Sequence, residues 1–73
     1  MKIKIILESG IILHEVEKLC SGTIRLQTKK DINAKRVSSD YVLRNNGELE
    51  VYGRGDKGFN FYPCKEKYKV INQ

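Results

Sequence analysis

Lys2-Ile3-Lys4-Ile5-Ile6-Leu7-Glu8-Ser9-Gly10-Ile11-Ile12-Leu13-His14-Glu15-Val16 is the stretch on which the fold turns. Ile3, Ile5 and Leu7 recur at every second position, with Lys2 and Lys4 between them. That is the period of a half-buried strand. Glu8-Ser9-Gly10 then reads as a turn, because glycine tolerates the positive φ that hairpins need. Ile11 to Val16 returns as a second strand. The same segment also fits helical spacing through Ile12, Leu13, Val16, Leu19 and Cys20, with Ser9 as an N-cap and Gly22 as a stop. The strand reading is preferred, because the strand-prone run Ile11-Ile12-Leu13 follows directly on a turn.

The alternation continues outward from there. Thr23 to Thr28 sets Ile24 and Leu26 against Arg25 and Gln27, a third strand. Lys29 to Ser39 has little periodicity and reads as a long connection with room for one short helical turn. Tyr41–Arg44 and Glu48–Tyr52 flank Asn45-Asn46-Gly47, and Asn-Gly between strand-like runs is a strong hairpin signal. Gly53-Arg54-Gly55-Asp56-Lys57-Gly58 reads as a further turn between Tyr52 and the strand Phe59–Tyr62. Tyr68–Ile71 makes the last strand. Pro63 cannot donate to a ladder, so it ends its strand or lies at an edge. These segments predict a mainly β fold: a small antiparallel barrel or strongly twisted sheet of five to seven short strands, forming one small domain over residues 1–73. The predicted inward set is Ile3, Ile5, Leu7, Leu13, Ile24, Leu26, Val42, Leu49, Val51, Phe59, Phe61, Tyr68 and Val70.

Composition bounds the function. The chain has 73 residues, 40% apolar and 32% charged, a balance that excludes both a disordered chain and a membrane-embedded one. Its longest apolar runs, Ile5–Leu7 and Ile11–Leu13, are far too short for a span or the core of a signal peptide. The expected setting is reducing cytoplasm with no membrane partner. Cys20 and Cys64 are far apart, no CxxC pair exists, and His14 is the sole histidine. That set does not make a zinc site, so no metal and no cofactor is expected, and the two thiols are expected to be free. A Cys–His nucleophilic pair would need His14 beside Cys20 or Cys64. The carboxylates fall as Glu15/Glu17 and Glu48/Glu50, each pair expected to share a solvent-facing strand surface. No catalytic motif accompanies them, and the expectation is a protein that is not an enzyme.

Fourteen Lys and Arg against nine Asp and Glu leave a net charge of +5. Residues 29–44 hold Lys29, Lys30, Lys35, Arg36 and Arg44 against Asp31 and Asp40. Residues 57–73 hold Lys57, Lys65, Lys67 and Lys69 against Glu66. Such surfaces attract phosphates, and they serve equally for acidic protein partners or for solubility alone. If Val51 and Phe61 face inward, Tyr52 and Tyr62 face outward, near Lys67 and Lys69. Tyrosines beside cations suit stacking on bases, protein hot spots, or plain cross-strand packing. The Gly53–Gly58 loop could present N–H groups to an anion with Arg54 and Lys57 beside it, or be simply a hairpin whose glycines satisfy unusual φ values.

The opening Lys2–Val16 with its Glu8-Ser9-Gly10 hairpin, the Asn46-Gly47 hairpin, and Phe61-Tyr62-Pro63 leading into a last strand resemble the order of pieces in short accessory proteins of phages and prophages with Sm-like or SH3-like small barrels. The resemblance implies a non-catalytic binder of a host protein or a nucleotide, of the kind that blocks bacterial defence. The expected ligand is anionic, nucleic acid or nucleotide, bound by Arg25, Lys29, Lys30, Lys35, Arg36, Arg44, Arg54 and Lys57 with Tyr52 and Tyr62 stacking. The alternative is a module that masks an acidic host protein. Small size also favours a homo-oligomer.

Overall fold

A computed structural model describes residues 2–72. Seven strands form one antiparallel sheet: β1 (Ile3–Leu7), β2 (Ile12–Lys18), β3 (Ile24–Gln27), β4 (Tyr41–Leu43), β5 (Leu49–Gly55), β6 (Gly58–Pro63) and β7 (Tyr68–Asn72). One short helix, α1 (Lys29–Asn33), interrupts them between β3 and β4. The strand order is β6-β5-β4-β3-β2-β1-β7, and the sheet curls into a half-barrel with β6 and β7 as its two edges.

Three of the hairpins are built alike. Leu7 N–H donates to Ile11 O, Leu19 N–H to Thr23 O and Arg44 N–H to Glu48 O, at 2.8 Å each. The loops Glu8-Ser9-Gly10, Cys20-Ser21-Gly22 and Asn45-Asn46-Gly47 each end on a glycine with φ between +91° and +95°. This is the three-residue hairpin whose last residue is left-handed. An odd loop pairs odd residues with odd, so Ile5 faces Leu13, and Leu43 faces Leu49. Side chains opposite one another share a face. The inner face therefore collects Ile5, Leu7, Leu13, Leu26 and Leu49, all nearly fully buried, with Ile3, Ile24, Tyr41, Leu43, Cys64 and Tyr68 packed around them.

That pairing corrects part of the predicted core. Leu43 opposes Leu49, so Leu43 and Tyr41 point inward and Val42 points outward. Val42 is still buried, on the outer face, flanked across the strands by Arg25 and Glu50. A bulge between Glu15 and Glu17 splits that pair: Glu15 opposes Leu26 and Glu17 opposes Arg25, which lie on opposite faces. Glu15 Oε1 accepts the Ile3 N–H at 3.0 Å, and Glu17 pairs with Arg25.

The Lys29–Ser39 connection holds the expected helical turn. Thr28 caps α1 by accepting the Asp31 N–H, and Lys35 at φ 58° ends it. The following loop is fastened to the outer face. Buried Gln27 donates to Arg36 O at 3.1 Å and Ser38 O at 2.7 Å, and Arg25 donates to Val37 O and Ser39 Oγ.

The inner face is small, so each large residue in it matters. Leu13→Ala removes a side chain with no solvent exposure and should cost about 2–5 kcal/mol. A domain of this size holds only about 4–11 kcal/mol in total. Urea unfolding should show a large loss for that variant, whereas Val37→Ala, at a residue 89% exposed, should leave the midpoint within error.

Candidate functional site: an aromatic platform on the outer face of β5 and β6

The hairpin joining β5 to β6 is tighter than the glycine pattern implies. Gly53-Arg54-Gly55 continue β5, and Asp56-Lys57 alone make the turn. The backbone of Gly53 and Gly55 thus belongs to the ladder with Asn60 and Gly58, and the anion-cradle reading of this loop fails. An even loop pairs odd residues with even. Val51 opposes Tyr62, and Tyr52 opposes Phe61. Tyr62 consequently lies on the inner face, and Phe59 and Phe61 lie on the outer face with Tyr52 and Arg54. This reverses the predicted placement of three aromatic residues.

Tyr62 serves the hairpin itself. Its hydroxyl donates to Gly58 O at 2.7 Å and accepts the Lys57 N–H at 3.0 Å. Its ring covers Gly55 so closely that a Cβ there would sit 2.5 Å from the ring. Glycine is required at position 55 by that contact, an aromatic lying over a bare backbone. One face of the Tyr62 ring is accordingly taken by the hairpin's own backbone.

The outer face of the same hairpin carries the exposed platform. Tyr52 and Phe59 rings stand 6.2 Å apart with their planes 22° from parallel, and Tyr52 meets Phe61 edge-on at 5.2 Å. Phe59 is 67% exposed and Tyr52 46%. Arg44 lies 5.6 Å from the Phe61 ring centre and bonds Glu50 Oε1 through Nε at 2.8 Å. Arg54 sits across the ladder from Phe59. The platform is exposed because β4 stops at Tyr41, so the far half of the β5–β6 hairpin extends past it; Tyr52 N–H reaches only the Asp40 carbonyl.

The other predicted cations divide in two. Arg25 is spent on Glu17 and the 37–39 backbone and hydroxyl, and Arg36 on Asp31, Asp40 and Ser38. Hydrogen bonds to Asp40 and then Asp31 raise the Arg36 guanidinium pKa above its ordinary value. Lys29, Lys30 and Lys35 are exposed on and just after α1, and Lys57 is exposed at the hairpin tip; none of the four, nor Arg54, makes an ion pair among the described residues. Lys67 lies on the link into β7 and Lys69 on β7 itself, which pairs with β1 and not with the strands that carry Tyr52 and Tyr62.

Two further features are candidates for a site. A groove of about 620 Å³ opens on the inner side between Tyr41, Val51, Tyr62, Cys64 and Glu66. Asp56 and Glu66 there oppose Arg54 and Lys65, so it offers an anion no net attraction. Burial pushes the Tyr41 phenol up, with Cys64, Glu66 and Asp40 adding to the shift. The second is the Cys–His pair, and His14 does not meet Cys64. It lies on the outer face opposite Lys4 and Gln27, whereas Cys64 packs against the inner cluster and Cys20 is exposed past the end of β2. Both thiols are free, and no group of three or more His, Cys, Asp or Glu suited to a metal ion occurs among the described residues.

Two outcomes test these assignments. Tyr62→Phe should lower stability by about 0.5–1.5 kcal/mol, and Gly55→Ala should lower it further, both read by thermal unfolding. Burial, with Lys29 and Lys4 repelling the charge, holds the His14 imidazole below its ordinary 6.5. The unfolded chain therefore binds a proton near pH 6.5 that the folded chain refuses until lower pH. This contribution is intact above pH 6.5 and is lost as pH falls from there through the folded value. Urea midpoints should drop between pH 7.5 and 5.5, and His14→Gln should flatten that part of the drop.

No helix among the described residues is long and apolar enough to cross a membrane. No protein-family model matches this chain, and neither the curated proteins nor the solved structures hold a significant match to it.

Proposed function

We propose that the chain is a non-catalytic binding protein that lays single-stranded nucleic acid across the outer face of β5 and β6. The observation that carries the reading is the near-parallel, solvent-exposed pair Tyr52 and Phe59, flanked by Arg44 and Arg54. Unpaired bases need flat π-faces to replace their lost stacking, and their phosphates need nearby cations. Tyr52 and Phe59 take bases, Phe61 backs them edge-on with Arg44 held beside it by Glu50, and Arg54 and the tip Lys57 lie where a backbone would pass. The platform is open and not a bounded pocket, which favours a strand over a lone nucleotide. Such a protein would act as an accessory or anti-defence factor of the phage type that its sequence resembles, in the cytoplasm.

Fluorescence anisotropy with labelled 12-mer DNA and RNA tests this. With two phosphates neutralised, by Arg54 and Lys57, log affinity should fall with log salt at a slope of about −1.4. Tyr52→Ala and Phe59→Ala should each weaken binding about 5- to 150-fold, the range for one stacked base. Arg54→Gln should flatten the slope by about 0.7. Salt-independent affinity, or full binding by both alanine variants, would refute the reading. Retention of one specific host protein after nuclease treatment, with no oligonucleotide binding, would instead support a protein-masking module.

A further inference from the structure

The two edges of the sheet are not equivalent, and the difference points to a partner. Edge strands expose backbone groups that can pair with another strand unless something blocks them. At β6 the two-residue turn makes Gly55 and Gly58 a bonded pair, so Phe59, Phe61 and Pro63 direct their backbone outward. That row is interrupted. Asn60 Oδ1 accepts the Phe61 N–H at 2.8 Å, and Pro63 has no N–H. The β6 edge can offer one free donor only, that of Phe59.

The β7 edge has no such blocks. Glu8 N–H donates to Lys67 O, so Lys69 and Ile71 also turn their backbone toward β1. Tyr68, Val70 and Asn72 then direct theirs outward, three donors and three acceptors in a row, and no side chain caps them among the described residues. Val70 is 47% exposed on the inner face beside buried Ile5, and Ile71 is 40% exposed on the outer face beside Lys4. Apolar flanks next to an open ladder are what a second strand would cover.

We infer that β7 is the self-association edge and that its occupant is β7 of a second copy, in an antiparallel two-fold pairing centred on Val70. The sequence of the strand is self-complementary in that register. Val70 meets the partner's Val70, Tyr68 meets the partner's Asn72, and Lys69 meets the partner's Ile71. The two lysines never stand directly opposite each other, which a like-charge pair would penalise. Six backbone hydrogen bonds form across the axis, and the inner faces of the two sheets join through Ile5 and Val70 of each copy. A two-fold axis through β7 closes the assembly at a dimer. Pairing β7 with the blocked β6 edge of a neighbour would instead give open chains. The platform is built from β5 and β6 and uses no residue of β7, so the inference stands apart from the proposed function.

Sedimentation velocity from 5 to 200 μM is the first test. The intact chain should sediment as a dimer at the upper end. Val70→Pro removes an outward N–H that no ladder bond within the monomer uses, so it should give a folded monomer by circular dichroism. Val70→Cys in a Cys20→Ser background tests the register directly. Bonded antiparallel pairs place Cα atoms about 5.5 Å apart, within disulfide range, so mild oxidation should cross-link most of the protein into dimers. A monomer at 200 μM, growth beyond a dimer, or a dimer that the Val70→Cys variant forms without cross-linking would each overturn the inference.

Discussion

A side chain's face in an antiparallel sheet is decided by the number of residues in the loop before it. Odd loops pair odd positions with odd, and even loops pair odd with even. In this chain three glycine-closed loops of three residues keep Ile5 with Leu13, and Leu43 with Leu49, on one side. A single bulge in β2 changes the phase where β3 must bring Ile24 and Leu26 to the same side. Without that phase change Leu26 and Ile24 could not both share a face with Leu13. The core exists because these loop lengths agree with the apolar positions. The left-handed glycines at positions 10, 22 and 47 make such loops accessible without strain.

The same rule accounts for what is legible in the sequence and what is not. Strand existence is legible, because alternation in Lys2–Leu7 and Thr23–Thr28 is a local property. So are the Gly10 and Gly47 turns and the helical turn after Thr28. Facing is legible only where one loop length is clear. Val42, Leu49 and Val51 cannot all point inward across a three-residue loop, and that loop, Asn45-Asn46-Gly47, stands in plain view. Apolarity alone puts Phe59 and Phe61 inward. Both a six-residue and a two-residue loop after Val51 send them outward and send Tyr62 in, so loop parity is the available signal. The bulge at Val16 and the capture of the 36–39 loop by Gln27 and Arg25 have no local signature, because each depends on partners distant in sequence.

Outward facing alone would not leave Tyr52 and Phe59 exposed to water. On β3 and β4 the outer face finds cover: Gln27 lies under the loop after α1, and Val42 is buried between Arg25 and Glu50. Past Tyr41 there is no strand or loop of that kind among the described residues, and the aromatics of β5 and β6 pack on one another and on Arg44. Tyr52 and Phe59 gain from stacking and Phe61 from Tyr52 and Arg44, contacts worth about 0.5–1.5 kcal/mol each. Folding alone would be served equally by polar residues at these positions. The inner side of the hairpin is already held by Tyr62 over Gly55. An exposed aromatic cluster with a separate device for holding its strands is thus more economical as a contact surface than as a structural element.

Net charge is a weak guide to where such a surface lies, and the ion pairs show why. Arg25 and Arg36 contribute to the total of +5, yet their guanidinium groups are occupied by Glu17, Asp31 and Asp40 and by the loop they fasten. A phosphate would have to displace those partners, which stand at closer range than any ligand approaching from solvent. Arg54 and Lys57 carry no such partner among the described residues and project from the one part of the sheet with bare π-faces. Local pairing therefore selects among cations that composition treats as equal. The surface that remains is set by the loop-length rule that built the core, since that rule alone turned Tyr52, Arg54, Phe59 and Phe61 to the same side.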